Sequence, residues 1–259
     1  MKLIRNFRRY LLLAGLLYTI QFMASSFVAQ AIASVSTETT NAAHPEGSVP
    51  VLMYHSISRQ NNSLCIAPEQ FERQLSNLLK HGYTPITASE LISAWENGSE
   101  LPTRPIVLTF DDGYKDNYTH AFPILKKYQA KATLFIITGA VGKSNYANWD
   151  QLMEMENSGL IDIESHTVTH PDIRKLTSKQ LVHELASSKQ VLEEHLHKSI
   201  TIFAYPYGGY TESAISALAS VGYKAAFTTK NRMTHPSQGR YTLKRLRVFQ
   251  SQSFSTFNP

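Results

Sequence analysis

Thr109-Phe110-Asp111-Asp112-Gly113-Tyr114 ends an apolar run, Pro105 to Phe110, with two adjacent carboxylates at a glycine turn. The pattern predicts a strand that delivers acids to a loop. Neighbouring side chains on a regular strand point to opposite faces, so Asp111 and Asp112 share a site only if the chain bends, and Gly113 permits the bend. Two carboxylates this close repel, and a cation or a proton has to neutralise one of them. Candidate ligands for a cation stand at Ser165-His166-Thr167-Val168-Thr169-His170, again just after a short apolar stretch, Leu160 to Ile163. Four residues apart, His166 and His170 reach one ion from a helical turn or a tight loop. One carboxylate and two imidazoles form a three-ligand set with a coordination position left open, as in catalytic zinc sites.

Outward from this centre, apolar runs alternate with helical periodicity. Strands are expected at Val49–Tyr54, Tyr83–Ile86, Pro105–Phe110, Ala132–Thr138, Ile161–Glu164, Ile200–Tyr205 and Tyr223–Thr228. Between them, Pro68 in a first turn with Phe71, Leu75, Leu78 and Leu79 at helical spacing predicts a helix closed by Gly82. Thr87 with Glu90, Asn148 with Gln151 and Thr177 with Gln180 are capping-box pairs that open three more. Further helices are expected from about Tyr118 to Tyr128 and from Thr211 to Val221. Strand-helix alternation implies right-handed crossovers and parallel strands, in an open sheet or a barrel. His55, Asp111, Asp112, His166 and Tyr207 each follow an expected strand directly. A barrel gathers such residues at one mouth, and the sequence is therefore read as an α/β protein, an irregular (β/α) barrel in a single domain.

Lys2, Arg5, Arg8 and Arg9 precede an uncharged stretch from Tyr10 to Ala33, with small residues at Ala31 and Ala33. Residues 1–33 read as a secretory signal or, uncleaved, as a membrane anchor. Either places the remainder outside the cytoplasm. Residues 34–48 read as a flexible linker and 49–259 as the functional domain. The formal charge is +5, but four of those charges lie in the N-terminal segment, so no nucleic-acid partner is expected. The basic run Arg245 to Arg247 reads as ordinary solvated or structural charge. Cys65 is the only cysteine, which rules out an intramolecular disulfide.

Phe203-Ala204-Tyr205-Pro206-Tyr207-Gly208-Gly209 is a rigid loop that exposes backbone N–H groups, as an oxyanion site requires, though an ordinary turn has the same composition. Trp149, Tyr114, Tyr146, Tyr207 and Tyr210 are equally suited to a sugar cleft and to the core. His81, His183, His195 and His197 read as surface residues, and His44 lies in the linker.

Taken together, Thr-Phe-Asp-Asp-Gly-Tyr, Ser-His-Thr-Val-Thr-His and Tyr-Pro-Tyr-Gly resemble the polysaccharide deacetylase family with the NodB-homology domain. The resemblance spans about Val49 to Val248. The Val-Leu-Met-Tyr-His opening is similar to the subgroup that deacetylates poly-β-1,6-N-acetylglucosamine in biofilm matrices. It implies that Asp111 is the general base, that Asp112, His166 and His170 hold a divalent metal, zinc before cobalt, nickel or iron, and that the Tyr207 backbone N–H completes an oxyanion hole. It implies too that His55, from the first strand, supplies the histidine that usually lies near the C-terminus. Many members carry an arginine where this chain has Ala204. Arg245, in Leu-Lys-Arg-Leu-Arg-Val, is the candidate to orient the base in its place. The expected activity is removal of N-acetyl groups from an extracellular N-acetylglucosamine polymer, with peptidoglycan or chitin oligomers as alternative substrates. A polysaccharide O-acetyl esterase and a catalytically silent envelope carbohydrate-binding protein are the competing readings.

Overall fold

A computed structural model describes residues 47–254 of the chain. The signal or anchor expected over residues 1–33 and nearly all of the expected linker lie outside the described residues. Among the described residues, no helix is long and apolar enough to cross a membrane.

The elements run β1 Val51–Tyr54, α1 Pro68–Lys80, β2 Thr84–Ile86, α2 Ala88–Asn97, β3 Pro105–Phe110, α3 Phe122–Tyr128, β4 Ala132–Ile136, α4 Trp149–Asn157, β5 Ile161–Ser165, α5 Ser178–Leu196, β6 Ile202–Ala204, α6 Glu212–Val221, β7 Ala225–Asn231 and β8 Leu243–Arg247. All pairings between these strands are parallel. β1 joins β8, the order continues β7, β6, β5, β4, β3, and β3 returns to β1 through Val51↔Val107 to Tyr54↔Phe110. Seven strands thus close a ring. β2 pairs with the start of β3, Thr84↔Pro105 to Ile86↔Val107, and stands outside it.

Strand alternation sorts the side chains into two cores. Leu52, Tyr54, Phe110, Leu134, Ile163 and Phe203 pack outward against the helices, with Tyr54 and Phe110 stacked and Phe71 of α1 edge-on to both. Val51, Val107, Phe135, Ile202, Phe227 and Leu243 form the second core, joined by Ile86, Ala88, Leu91 and Ile92 from β2 and α2. Val51, Ile202 and Leu243 are the first residues of their strands, so α2 seals the end of the ring where strands begin. There the Ala88 N–H donates to Thr133 Oγ1 at 2.8 Å. The opposite end, where strands finish, stays open for a site.

The three capping boxes form as the sequence predicts, and Thr211 accepts from the Ala214 N–H at the start of α6. Two elements differ from expectation. The helix expected from Tyr118 begins as a π turn, Asn117–Ala121, before α3. β8 is a strand where the sequence reads as a basic run, because Leu243 and Arg245 turn into the ring.

One seam of the ring has little ladder. β5 and β6 share the single register pair Ser165↔Phe203. The Glu164 carboxylate fills the gap by accepting from the Thr201 and Ile202 N–H groups at 3.0 and 2.7 Å. Burial, reinforced by the neighbouring Asp162 charge, pushes the Glu164 pKa well above the carboxylate range, against the pull of Lys198 and these N–H groups.

Candidate active site

The turn after β3 is sharper than one glycine makes it. Asp112 (φ 76°) and Gly113 (φ 79°) are both left-handed. That reversal turns Asp112 away from the face Asp111 occupies, and a Cβ on Gly113 would meet Ile136 Cδ1 at 2.9 Å. His166 and His170 sit on a loop and not a helix, with Thr167 (φ 70°) and His170 (φ 58°) also left-handed. Such backbone is costly for non-glycine residues and holds only if the surroundings fix it. Glu184, reaching from α5, does this: it accepts from the Val168 and Thr169 N–H groups and from Thr169 Oγ1 at 2.8, 2.9 and 2.6 Å. The His170 N–H donates to Thr167 Oγ1 at 3.0 Å.

Asp112 Oδ1 lies 3.5 Å from His166 Nε2 and 3.5 Å from His170 Nε2. All three ligand atoms fall within 4.8 Å of one another. Zinc bonds of about 2.0–2.1 Å at tetrahedral angles separate ligand atoms by about 3.3–3.4 Å, close to the distance at which Asp112 stands from each imidazole. The protonation chemistry agrees. His166 Nδ1 is 2.8 Å from the Ala204 carbonyl oxygen, which only accepts, so the Nδ1–H donates there and the Nε2 lone pair of the neutral ring faces a carboxylate. Two electron-rich atoms facing each other call for a cation between them, and a backbone-anchored imidazole is the usual support for a metal ligand. In the metal-free protein the same arrangement favours a proton on His166. Burial works to lower the His166 pKa, but the hydrogen bond to Asp112 and the nearby carboxylates outweigh it and raise the value.

Asp111 makes a different set of contacts. It is 2% exposed, and the fully buried Arg245 grips it with two parallel bonds, Nη1 to Oδ1 and Nη2 to Oδ2, both 2.7 Å. Arg245 also donates to Thr109 Oγ1 at 3.0 Å and to the Thr228 carbonyl at 3.1 Å, which fixes the plane of the fork. Burial alone would raise the Asp111 pKa; the guanidinium charge and its hydrogen bonds reverse this and hold the carboxyl far below its ordinary range. Arg245 is therefore no solvated charge. It comes from the last strand and meets a residue 134 positions away.

His55 Nε2 stands 3.9 Å from Asp111 Oδ2. Burial lowers its pKa, against the opposing pull of Asp111 and Asp112. Its backbone is clamped from the turn after Tyr114: Asn117 Nδ2 donates to the His55 carbonyl at 2.8 Å, and Asp116 accepts from Ser56 Oγ and the Ile57 N–H at 2.6 and 2.9 Å. Tyr207 is left-handed (φ 58°) and 65% exposed, with its ring edge-on to His170 at 4.7 Å.

A cavity of about 500 Å³ opens at this mouth, lined by Asp112, His170, Tyr114, Tyr146, Lys143 and Tyr207. Of the five aromatic candidates, Tyr114, Tyr146 and Tyr207 thus face the cavity. Trp149 stacks instead on His195 at 3.8 Å, and Tyr210 packs on Tyr205. Sequence reasoning missed Glu184, Asp116 and Asn117. Only the Asp-Asp-Gly-Tyr-Lys-Asp-Asn run held a signal for the last two.

The family model for polysaccharide deacetylase matches residues 98–226. The Bacillus subtilis protein YxkH, which carries that family's name, is 38% identical over 209 residues, covering 81% of this chain and 74% of its own. A poly-β-1,6-N-acetyl-D-glucosamine N-deacetylase of Staphylococcus aureus is 30% identical over 76% of this chain and 72% of that protein. Among solved structures, the Streptococcus pyogenes deacetylase PplD in complex with acetate superposes with a TM-score of 0.77 at 31% identity, covering 81% of this chain and 96% of that one. IcaB from Ammonifex degensii gives 0.73 at 28%, covering 81% and 95%. Likeness of this extent, in sequence and in the barrel that carries the Asp-Asp turn, makes this chain a member of the polysaccharide deacetylase family.

Proposed function

We propose that the protein removes N-acetyl groups from an extracytoplasmic polymer of N-acetylglucosamine, poly-β-1,6-N-acetylglucosamine first, with a divalent metal held by Asp112, His166 and His170. The observation that carries this reading is the division of labour between adjacent carboxylates: Asp112 faces two imidazoles, while Asp111 faces none of the ligand set and is locked by Arg245. A protein that only bound glycan would have no use for an ionised, buried, non-ligating acid beside its metal. The Staphylococcus aureus relative supports the choice of substrate.

A divalent metal in such a site supplies Lewis acidity, polarising a carbonyl and acidifying water. The chain's own groups do the rest. Asp111 accepts the proton of the attacking water. A carboxylate held this low is a weak base, so its contribution is placement as well as charge, and the Arg245 fork sets both. The Tyr207 backbone N–H donates to the carbonyl oxygen as negative charge develops there. His55, in its protonated form, gives a proton to the departing nitrogen. Its Nε2 stands beside Asp111 Oδ2, so donor and acceptor are neighbours.

Release of free amine from a panel of N-acetylglucosamine polymers, with and without chelator, tests the reading. Asp111→Asn should keep the metal and lose about 10²–10⁴-fold in turnover, as removal of a general base does. Acetate released without free amine would assign ester hydrolysis instead. Metal lost together with activity in Asp111→Asn would show that the two carboxylates have the opposite roles.

A further inference from the structure

The ladder that carries β1 to the mouth of the ring stops one residue short of His55. Its register with β3 ends at Tyr54↔Phe110, and the Asp111 N–H donates to the Tyr54 carbonyl at 3.0 Å. Among the described residues no hydrogen bond holds the His55 ring, which faces Asp111 Oδ2 at 3.9 Å. The backbone of residues 55–57 therefore has to place it.

That backbone is held by one short stretch that follows the Asp-Asp turn, residues 116–120. Asn117 Nδ2 donates to the His55 carbonyl at 2.8 Å, and Asp116 accepts from Ser56 Oγ at 2.6 Å and from the Ile57 N–H at 2.9 Å. His120 Nδ1 lies 2.8 Å from the Ile57 carbonyl, which only accepts, so the ring donates there. Asn117 Nδ2 also reaches Asp116 Oδ1 at 3.2 Å and joins two of these grips. A loop tied at one point still rocks; four ties on three successive residues leave His55 little room to do so.

The stretch has an unusual shape. Residues Asn117–Ala121 form a π turn, in which the Phe122 N–H donates to the Asn117 carbonyl. Pro123 favours it, because proline has no N–H to offer the Thr119 carbonyl and its ring crowds that carbonyl in a regular helix. Such turns are rare and recur at functional sites, and here the turn supplies Asn117 and His120 to the end of β1.

We propose that Asp116 and Asn117 are positioning residues for His55, fixing where its ring stands relative to Asp111 and so to the departing nitrogen. The segment from Asp111 to Asn117 then carries the base, a metal ligand and the anchor of the acid, and the three keep one geometry. This rests on the reading of His55 as proton donor and adds that the donor's reach is set from outside its own strand. A misplacement of about 1 Å costs about 10²-fold in rate.

The test compares an N-acetylglucosamine oligomer with an activated aryl acetate on the metal-loaded enzyme. Asn117→Ala and Asp116→Ala should each lower kcat on the oligomer about 10–10²-fold with little change in KM. The aryl acetate, whose leaving group departs without a proton, should lose far less. Asp116→Asn is the conservative rescue: its Oδ1 still accepts from the Ile57 N–H and its amide donates to Ser56 Oγ, so the ratio of the two rates should stay near that of wild type. Metal content and Tm, read on every variant, separate the effect from a lost ligand or an unfolded barrel. Asp116 is only half-buried, so its variants remain readable even where Asn117→Ala fails to fold. Equal losses on both substrates in the two alanine variants, with His55→Ala still selective for the oligomer, would overturn the clamp and leave the acid reading standing. Equal losses in His55→Ala itself would overturn both.

Discussion

Arg245→Met removes the guanidinium and keeps much of its buried volume, leaving the Asp111 carboxylate enclosed without its two hydrogen bonds and with only His55 beside it. The wild-type pair consists of two charged hydrogen bonds to Asp111, supported by bonds to Thr109 and Thr228. Breaking a buried pair from one side costs about 3–5 kcal/mol. In a barrel of roughly 200 residues that corresponds to a fall in Tm of about 6–20 °C near neutral pH. The pH dependence is the sharper readout. In the wild type, Asp111 titrates below its unfolded value, so its stabilisation is present above that value and is lost only as pH falls through the folded one. In Arg245→Met, burial is opposed only by the weaker pull of His166 and His55, and the folded pKa rises above the unfolded value. The contribution is then intact only at acid pH and is lost as pH rises through the new folded value. The deficit should therefore be small near pH 4.5 and grow toward pH 8, and the acid limb of the rate profile should move upward. Thermal melts of metal-free protein across that range check this, with Asp111→Leu/Arg245→Met as the companion. Replacing both charges with apolar groups should recover most of the loss, since the penalty is for the unpaired charge and not for the absent pair. A deficit equal at both ends of the range, or a double variant no more stable than the single one, would refute the reasoning.

Elemental analysis of the purified protein should give about one equivalent of divalent metal, lost in His166→Ala and in His170→Ala; undiminished metal in both would remove the ligand assignment. His55→Ala should depress turnover of an N-acetyl substrate about 10²-fold or more and scarcely affect an activated aryl acetate, whose leaving group departs without a proton. Equal losses on both would make His55 a positioning group. Because burial lowers the His55 pKa, the alkaline limb that it sets should begin below the pH of an ordinary imidazole. For Glu164, whose folded pKa is raised, stabilisation is complete below the unfolded value and lost as pH rises through the folded one. Glu164→Gln, whose amide oxygen still accepts from Thr201 and Ile202, should therefore gain stability relative to wild type as pH rises, read by melts between pH 5 and 9.

What was legible in the sequence follows from the range of each interaction. Capping at Thr87, Asn148 and Thr177 is settled within one helical turn, and those helices begin where the residues say. The Asp-Asp-Gly turn and the paired histidines are short motifs at strand ends, so their convergence followed once a barrel was inferred. Arg245 was legible only as a candidate. Leu243-Lys-Arg-Leu-Arg looks solvated because a buried arginine makes sense only with its partner, and Asp111 lies on the far side of the ring in sequence. Glu184 escaped notice for the same reason, since nothing in helix α5 marks one glutamate as the anchor of a loop more than a dozen residues earlier. Glu164 likewise reads as a polar residue on a strand, whereas it replaces missing ladder at the β5–β6 seam.

β1 and β8 are neighbours in the ring, through Leu52↔Leu246 and Met53↔Arg247. One carries the chain to His55 and the other carries Arg245, although nearly the whole domain separates them along the sequence. Contacts this distant are the slowest for a chain to close. Most helices and the β3–β5 ladder can assemble while this last closure is outstanding, and such an intermediate would have the proposed ligands Asp112, His166 and His170 in place with the proposed base Asp111 unoriented. Turnover is thus a signature of the completed ring. During refolding it should return after the helical signal and after metal uptake, in step with protection of the β1 and β8 amides.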